Sequence, residues 1–147
     1  MSVSLVNATL HYRLRLANGS GQPIGPVTLG IDMIAANAAL PAEEQLALSG
    51  APIAERHRIE SLGAGEEIEL SGDLRLPLAQ IVPIKAGAAA LFVPLVRLQA
   101  RAGGIALTRA VVVGETPAVH GGPLRPFRLD QGPRIFGAIE QRQLAAA

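Results

Sequence analysis

Alternation of apolar and polar side chains is the dominant pattern along this chain, and it is typical of strands that bury one face. Residues 10–16 place three leucines and a tyrosine on one face and His11, Arg13 and Arg15 on the other. Residues 67–76 alternate in the same way, with isoleucine and leucine on one face and mostly charged side chains on the other. Both segments are predicted to be strands with one solvent-facing side.

Clusters of glycine, asparagine and proline divide the rest of the chain into short extended segments. Residues 18–23 form one such cluster and residues 102–104 another, which predicts a hairpin because glycine supplies the positive φ of tight turns. The segment entering this hairpin is apolar on both faces, which favours a central position in its sheet. The further predicted strands are residues 27–34, 53–62, 88–101 and 105–114.

Three local features interrupt the strands. Residues 41–48 begin with proline and acidic side chains and precede Gly50, a pattern that predicts a short helix. Residues 78–84 follow Pro77 and include Pro83, and they are predicted to cross a sheet edge because proline cannot donate a ladder hydrogen bond. Gly72, inside a regular strand, predicts a bulge or a close contact.

About seven short strands with turns roughly every 8–12 residues, and no strand–helix–strand alternation, predict an all-β fold. We expect an Ig-like sandwich of two antiparallel sheets with one short helical insertion and less than about a fifth of its residues in helix. Residues 1–122 would form the sandwich, and residues 123–147, rich in proline and glycine, an extension packed on it. The final alanines, 145–147, are typical of a cloning remnant. The side chains expected in the core include Leu14, Ile31, Leu70 and Phe92.

Two of the predicted turns have distinctive residues. In residues 12–20 a strand ends in an Asn-Gly turn, and in residues 59–66 a Leu-x-x-Gly-Glu turn opens another outward-alternating strand, with residues 24–33 between them. These turns resemble those of bacterial Ig-like and CARDB-like domains. The resemblance covers roughly the first 76 residues. It implies an adhesive, spacer or accessory module of a bacterial cell-envelope protein, periplasmic or membrane-anchored, with no catalytic residues.

The composition narrows the possible functions. The 147 residues are 49% apolar and 17% charged, which is enough apolar material for one folded domain. A net charge of +1 gives little attraction for nucleic acid, and an aromatic content of 3% leaves few rings to stack on single strands or sugars. We therefore expect no nucleic-acid partner, and a carbohydrate platform is disfavoured.

The chain has no cysteine, which excludes disulfides, a thiol nucleophile and cysteine-ligated zinc. This composition is compatible with the cytoplasm and with the periplasm. Residues 1–16 lack the pattern of a secretory signal. The most apolar stretch, residues 86–96, is eleven residues long, short of the roughly 20 that a spanning helix needs, so we expect no membrane span in this sequence.

No local motif for nucleotide binding, zinc-dependent proteolysis or serine hydrolysis occurs in the sequence. The three histidines, His11, His57 and His120, lie in separate segments without metal-ligand spacing. His57 could act as a general base if Asp32 or Asp73 oriented it, but a partly buried imidazole is the favoured interpretation. We therefore predict no catalytic residue, no metal and no cofactor.

Two pairs of arginines are candidate binding residues. Arg13 and Arg15 project from one predicted strand, and Arg56 and Arg58 from another. If the two strands are neighbours, the four guanidinium groups would form a basic patch for an anionic ligand or partner. The favoured interpretation is a solvated sheet face on which glutamates balance the arginines, namely Glu60, Glu67 and Glu69.

The extension holds the remaining candidates. Residues 123–126 have the Pro-x-x-P spacing of polyproline ligands around Arg125, although packing of a turn is the favoured interpretation. Phe127 and Phe136 are two of only three phenylalanines in the chain, which suits either an arm docked on its own domain or a segment that contacts a partner.

The function predicted from these observations is a non-catalytic Ig-like interaction or spacer module, with a protein partner or self-association as the interaction. Two alternatives stay open: a sandwich that binds a small ligand or carbohydrate, and a hydrolase whose site is assembled from distant segments.

Overall fold

The computed structural model describes residues 1–37, 45 and 52–144. Of these residues 59% lie in strands and 3% in helix, so the predicted all-β class and low helix content are confirmed. The predicted helix at residues 41–48 lies outside the described residues except for Gln45.

Twelve strands and one 3-10 helix, Leu78–Gln80, make up the regular structure of the described chain. The longest strands coincide with the segments of strict alternation, because a period of two exposes one face and buries the other. The strands in chain order are β1 Ser2–Val3, β2 Asn7–Ala17, β3 Val27–Ala35, β4 Glu55–Ile59, β5 Glu67–Pro77, β6 Ile84–Ala86, β7 Ala89–Phe92, β8 Pro94–Ala102, β9 Ile105–Glu115, β10 Phe127–Arg128, β11 Arg134–Ile135 and β12 Ile139–Gln143.

The strands form three antiparallel sheets, where the sequence predicted two. A four-stranded sheet has the order β11-β1-β2-β5, and a five-stranded sheet has the order β12-β9-β8-β3-β4. Their apolar faces pack together as in a sandwich, and a three-stranded sheet, β10-β7-β6, supplies further side chains to the same core. The core residues are Val3, Ala8, Leu10, Ile31, Met33, Leu74, Leu76, Ile81, Phe92, Val96, Val113, Phe127 and Phe136.

The third sheet arises because the predicted strand over residues 88–101 is two strands. β7 pairs with β6 and β10, whereas β8 begins at Pro94 and pairs with β3 and β9. Proline is tolerated as the first residue of a strand, where no ladder donor is lost. Between the strands the carbonyl of Val93 accepts a hydrogen bond from the N–H of Ala36, at 2.8 Å.

The described part of the extension, residues 123–144, contributes a strand to each sheet. β10 pairs with β7, β11 with β1, and β12 with β9 over five residue pairs. Phe127 and Phe136 are both buried, and their ring centroids lie 4.8 Å apart. An aliphatic chain with few aromatic residues thus draws two of its core rings from this segment.

The predicted core positions differ in depth. Ile31 and Phe92 are buried, as predicted. Leu14 and Leu70, which are paired across β2 and β5, are only half-buried, so the prediction of full burial was wrong for both. The pair Leu10–Leu74, four residues further toward β1, is the one that the core encloses.

Gly72 makes a close contact rather than a bulge, since the pairing of β2 with β5 is continuous through it. Its cross-strand partner is Tyr12, and a Cβ at position 72 would lie 2.6 Å from the tyrosine Oη. The missing side chain therefore gives the Tyr12 ring its place on the inner face of the sheet.

Candidate functional site

One edge of β2 is open over most of its length. This strand pairs with β5 along its whole length, from Asn7 to Ala17. On its other side it pairs with β1 only at Ala8 and Thr9. Beyond Thr9, none of the described residues pairs with this edge.

The hydrogen bonds at the two ends of β2 fix which backbone groups point to the open side. The N–H of Leu78 donates to the carbonyl of Val6 at 2.8 Å, and the N–H of Asn18 donates to the carbonyl of Glu66 at 2.9 Å. In an antiparallel ladder, residues bonded to a neighbour alternate with residues that face away from it. The backbone N–H and C=O groups of the even-numbered residues of β2 therefore point toward β5. Those of His11, Arg13 and Arg15 point to the open side.

Next to this edge lies a cleft of about 470 Å³ between β2 and the inner face of the five-stranded sheet. Its walls are mostly apolar, and polar or charged residues lie at its mouth. The apolar lining comprises Leu10, Tyr12, Leu14, Ile31, Val96, Leu98, Val111, Val113 and Ile139, and the polar lining comprises His11, Arg13, Arg15, Glu140 and Gln141.

The cleft exists because the two main sheets differ in width on this side. β9 and β12 extend the five-stranded sheet, whereas the two-residue strands β1 and β11 cover only one end of it. Leu98, Val111 and Ile139 consequently contact the core but are only partly buried. A strand placed beside β2 would cover them.

The outer face of β2 carries arginines that are paired with acidic residues of β5. The Nε of Arg13 lies 3.2 Å from a carboxylate oxygen of Glu69, and the Nε of Arg15 lies 3.7 Å from one of Glu67. His11 Nδ1 lies 2.7 Å from Oδ1 of Asp73. All of these pairs are exposed on the β5 side, and solvent screens them.

The structure does not bring the two arginine pairs together, because Arg56 and Arg58 lie on β4, in the opposite sheet. Arg58 Nε donates to Glu60 at 2.8 Å, and this bond raises the pKa of the guanidinium. Arg56 donates to the backbone carbonyl of Asp73. The arginines of β2 thus pair with glutamates of β5, whereas those of β4 have Glu60 and a backbone carbonyl as partners.

His57 is half-buried and its Nε2 lies 2.6 Å from Oη of Tyr12 on β2. Asp32 instead binds Arg97, with Oδ1 2.8 Å from Nε, and Asp73 pairs with His11. The structure therefore does not join His57 to either aspartate. The part of the chain that the structure describes contains no group of three His, Asp or Glu side chains that could hold a metal ion.

The candidates in the extension take part in this domain's own structure. The guanidinium of Arg125 donates to the carbonyl of Thr116, with Nη2 at 3.1 Å, and its backbone pairs with Glu115. Phe127 and Phe136 lie in the core, so contact with a partner would require their removal from it.

Sequence reasoning located neither the open edge of β2 nor the cleft. Alternation identified β2 and its apolar face, but the number of strands on each side of β2 depends on pairings between distant segments.

The chain matches no protein-family model, no curated protein and no solved structure. The resemblance to bacterial Ig-like and CARDB-like domains thus remains a prediction from the residues of the two turns. Among the described residues, no helix has the length and apolarity that crossing a membrane would require.

Proposed function

We propose that this chain is a non-catalytic interaction module that binds an extended segment of a partner protein by strand addition at the open edge of β2. The observation that carries the proposal is the coincidence of this unpaired edge, over residues 10–17, with the apolar cleft beneath it. An edge alone, or a cleft alone, would be a weaker indication.

Strand addition uses both parts of the site. The backbone groups of His11, Arg13 and Arg15 would form main-chain hydrogen bonds with an added strand, which supply affinity for any extended sequence. Every second side chain of that strand would enter the cleft and cover the exposed parts of Leu98, Val111 and Ile139. A segment of about seven residues spans roughly 23 Å, the length of the free part of β2.

At the level of fold, we propose an Ig-like module of a bacterial cell-envelope protein. The two turns that carry the resemblance are in contact, since the side-chain amide of Asn18 donates to the carbonyls of Leu62 and Gly63 at 3.0 and 3.1 Å. A structural role for both turns supports a likeness of fold. A spacer role between other domains would require the same sandwich but would give the cleft no function.

The proposal of a non-catalytic role is supported by the surroundings of the histidines. The His11–Asp73 pair lies on a sheet face with both side chains more than half exposed, at 66% and 53%. Catalytic proton transfer requires a positioned substrate and benefits from exclusion of water. His57, the more buried imidazole, has a tyrosine hydroxyl as its partner.

The test uses the N–H of Arg13, which points to the open side. In Arg13→Pro this donor is lost while every hydrogen bond to β5 is kept, and proline is tolerated on a strand edge. Arg13→Ala is the matched control, since it removes the same charge but keeps the N–H. The probe is a set of extended peptides of about ten residues, selected on the wild-type domain from a random displayed library.

We expect peptide binding, measured by fluorescence anisotropy, to fall at least about tenfold more in Arg13→Pro than in Arg13→Ala, with both variants folded. Amide exchange at residues 11, 13 and 15 should slow when peptide is bound. Equal binding by the two variants would contradict strand addition, and it would favour a small apolar ligand that uses the cleft alone. Failure to select any peptide would contradict the interaction role.

A further inference from the structure

We infer that the segment bound at the open edge of β2 alternates apolar and acidic side chains. This inference rests on the proposed function and names the chemistry of the partner. It is carried by the charge of the outer face of β2 and by the strand that already occupies its other edge.

β5 shows what kind of strand β2 accepts. Its inward side chains are apolar, and the outward ones at residues 67, 69 and 73 are acidic. Two of these carboxylates are paired in register with basic residues of β2, Glu69 with Arg15 and Asp73 with His11. One edge of β2 is thus complemented by an apolar–acidic strand, and the two edges share the same outward side chains.

The arginines remain open to a second row of carboxylates. The side chains of Arg13 and Arg15 are 71% and 73% exposed, although they contact Glu69 and Glu67. On an added strand, outward side chains directly opposite would have Cβ atoms about 5 Å from those of β2. Acidic side chains there would extend the pattern of the β2–β5 face, whereas basic ones would repel two guanidinium groups.

The other polar residues at the mouth do not oppose this chemistry. Glu140 is paired with Gly114, so its side chain projects from the outer face of the five-stranded sheet, away from β2. Gln141 is paired with the buried Val113 and faces the cleft. Its neutral amide suits a hydrogen bond to the backbone of a bound segment.

A second copy of this chain joined through the same edge is disfavoured by charge. Antiparallel pairing of β2 with a second β2 would place the rows of His11, Arg13 and Arg15 against each other. Like charges directly opposite on neighbouring strands destabilise a sheet. The charge of the edge therefore favours a different, acidic strand.

Three synthetic peptides of about ten residues test the inference, each with valine at alternate positions and with glutamate, lysine or threonine between. They are titrated against the wild-type domain and against Arg13→Glu/Arg15→Glu. The control variant, Arg58→Glu/Arg101→Glu, has the same change in net charge on the outer face of the opposite sheet, where both residues flank Thr28.

We expect the wild type and the control variant to bind the glutamate peptide at least about tenfold more tightly than the lysine peptide. The preference should reverse in Arg13→Glu/Arg15→Glu and weaken at high salt. Equal binding of all three peptides would overturn the inference and leave strand addition intact. Binding of none would count against the proposed function itself.

The wild-type domain could self-associate without peptide, and Arg13→Pro could abolish this association. The open edge would then be assigned to a second copy of the chain. That result, measured by analytical ultracentrifugation, would also overturn the inference.

Discussion

The Oη of Tyr12 lies 2.6 Å from Nε2 of His57, and this contact joins the two main sheets. Tyr12 belongs to β2 in the four-stranded sheet and His57 to β4 in the five-stranded sheet. The bond from Arg56 to the carbonyl of Asp73 joins the same sheets near it. Polar contacts thus tie the sandwich together on the β4 side, while the opposite side opens into the cleft.

Tyr12→Phe removes only the hydroxyl of this contact. We expect a loss of about 1 kcal/mol in the free energy of unfolding, because a half-buried hydrogen bond is lost and His57 keeps access to water. Urea denaturation followed by circular dichroism measures it. His11→Ala is the control, since His11 is exposed on the outer face, and its effect should be smaller. Equal stability of Tyr12→Phe and the wild type would show that the contact contributes nothing.

Asn18 is a second polar connection, and it is buried. Its Nδ2 donates to the carbonyls of Gln22, Leu62 and Gly63, and its Oδ1 accepts from the N–H of Ser20. The side chain thereby holds the turn after β2 and the turn before β5 in one arrangement.

Asn18→Ala should cost about 2 kcal/mol in the free energy of unfolding, because the hydrogen bonds of a buried amide are lost, although the three carbonyls keep a second donor. The control is Gln22→Ala, which keeps the backbone carbonyl that Asn18 uses and removes an exposed side chain. Thermal unfolding should place the two variants several degrees apart. If they melt together, the bonds of Asn18 are replaced by water at no net cost.

Much of the fold could be predicted from the sequence because its long strands alternate strictly. β2, β3, β5 and β9 lie close to their predicted positions, and the hairpin between β8 and β9 turns where glycines allow a positive φ, 59° at Gly103. These features are local. Pairing between distant segments is not, which is why the third sheet and the three short strands of the extension were not predicted.

The candidate site could be predicted only in part. The sequence identified Arg13 and Arg15 as outward side chains of one strand, and the structure places them at the mouth of the cleft. It could not show that β1 ends at Val3 and leaves one edge of β2 unpaired beyond Thr9. Arg56 and Arg58 do not lie on the same sheet face as Arg13 and Arg15. Alternation alone could not predict this, because it does not reveal which sheet a strand belongs to.

The difference in depth between two leucines of β5 gives a third prediction. Leu74 is 3% exposed and belongs to the core, whereas Leu70 is half-buried beside Leu14, near the cleft. Leu74→Ala should cost about 2–5 kcal/mol because it leaves a cavity in a closed interior. Leu70→Ala should cost clearly less, since solvent already reaches its surroundings. Denaturant unfolding measures both losses in the free energy of unfolding. A larger loss for Leu70→Ala than for Leu74→Ala would contradict the position of the core around Leu74.

Asp130 fixes the end of β10 to β7. Its Oδ1 accepts from the N–H of Ala90 at 3.1 Å, and its Oδ2 lies 2.6 Å from Nη2 of Arg128. The N–H of Leu129 donates to the carbonyl of Ala90 at 2.8 Å, beside the buried Phe127. The hydrogen bond from Arg128, followed by that from Ala90, lowers the pKa of the Asp130 carboxyl far below its usual range.

A carboxyl whose pKa is lower in the folded than in the unfolded state stabilises the fold when it is ionised. This contribution is complete above the unfolded pKa, which is about 3.9 for aspartate. It is lost as the pH falls toward the folded pKa. We therefore expect Asp130→Asn to be less stable than the wild type at neutral pH and the difference to shrink steadily below about pH 4. Urea unfolding at a series of pH values measures it. Repeating the series in an Arg128→Ala background is the control, because the change should be smaller once the main cause of the shift is gone. A difference between wild type and Asp130→Asn that stays constant from neutral to acidic pH would mean that the charge of Asp130 does not stabilise the junction of β7 and β10.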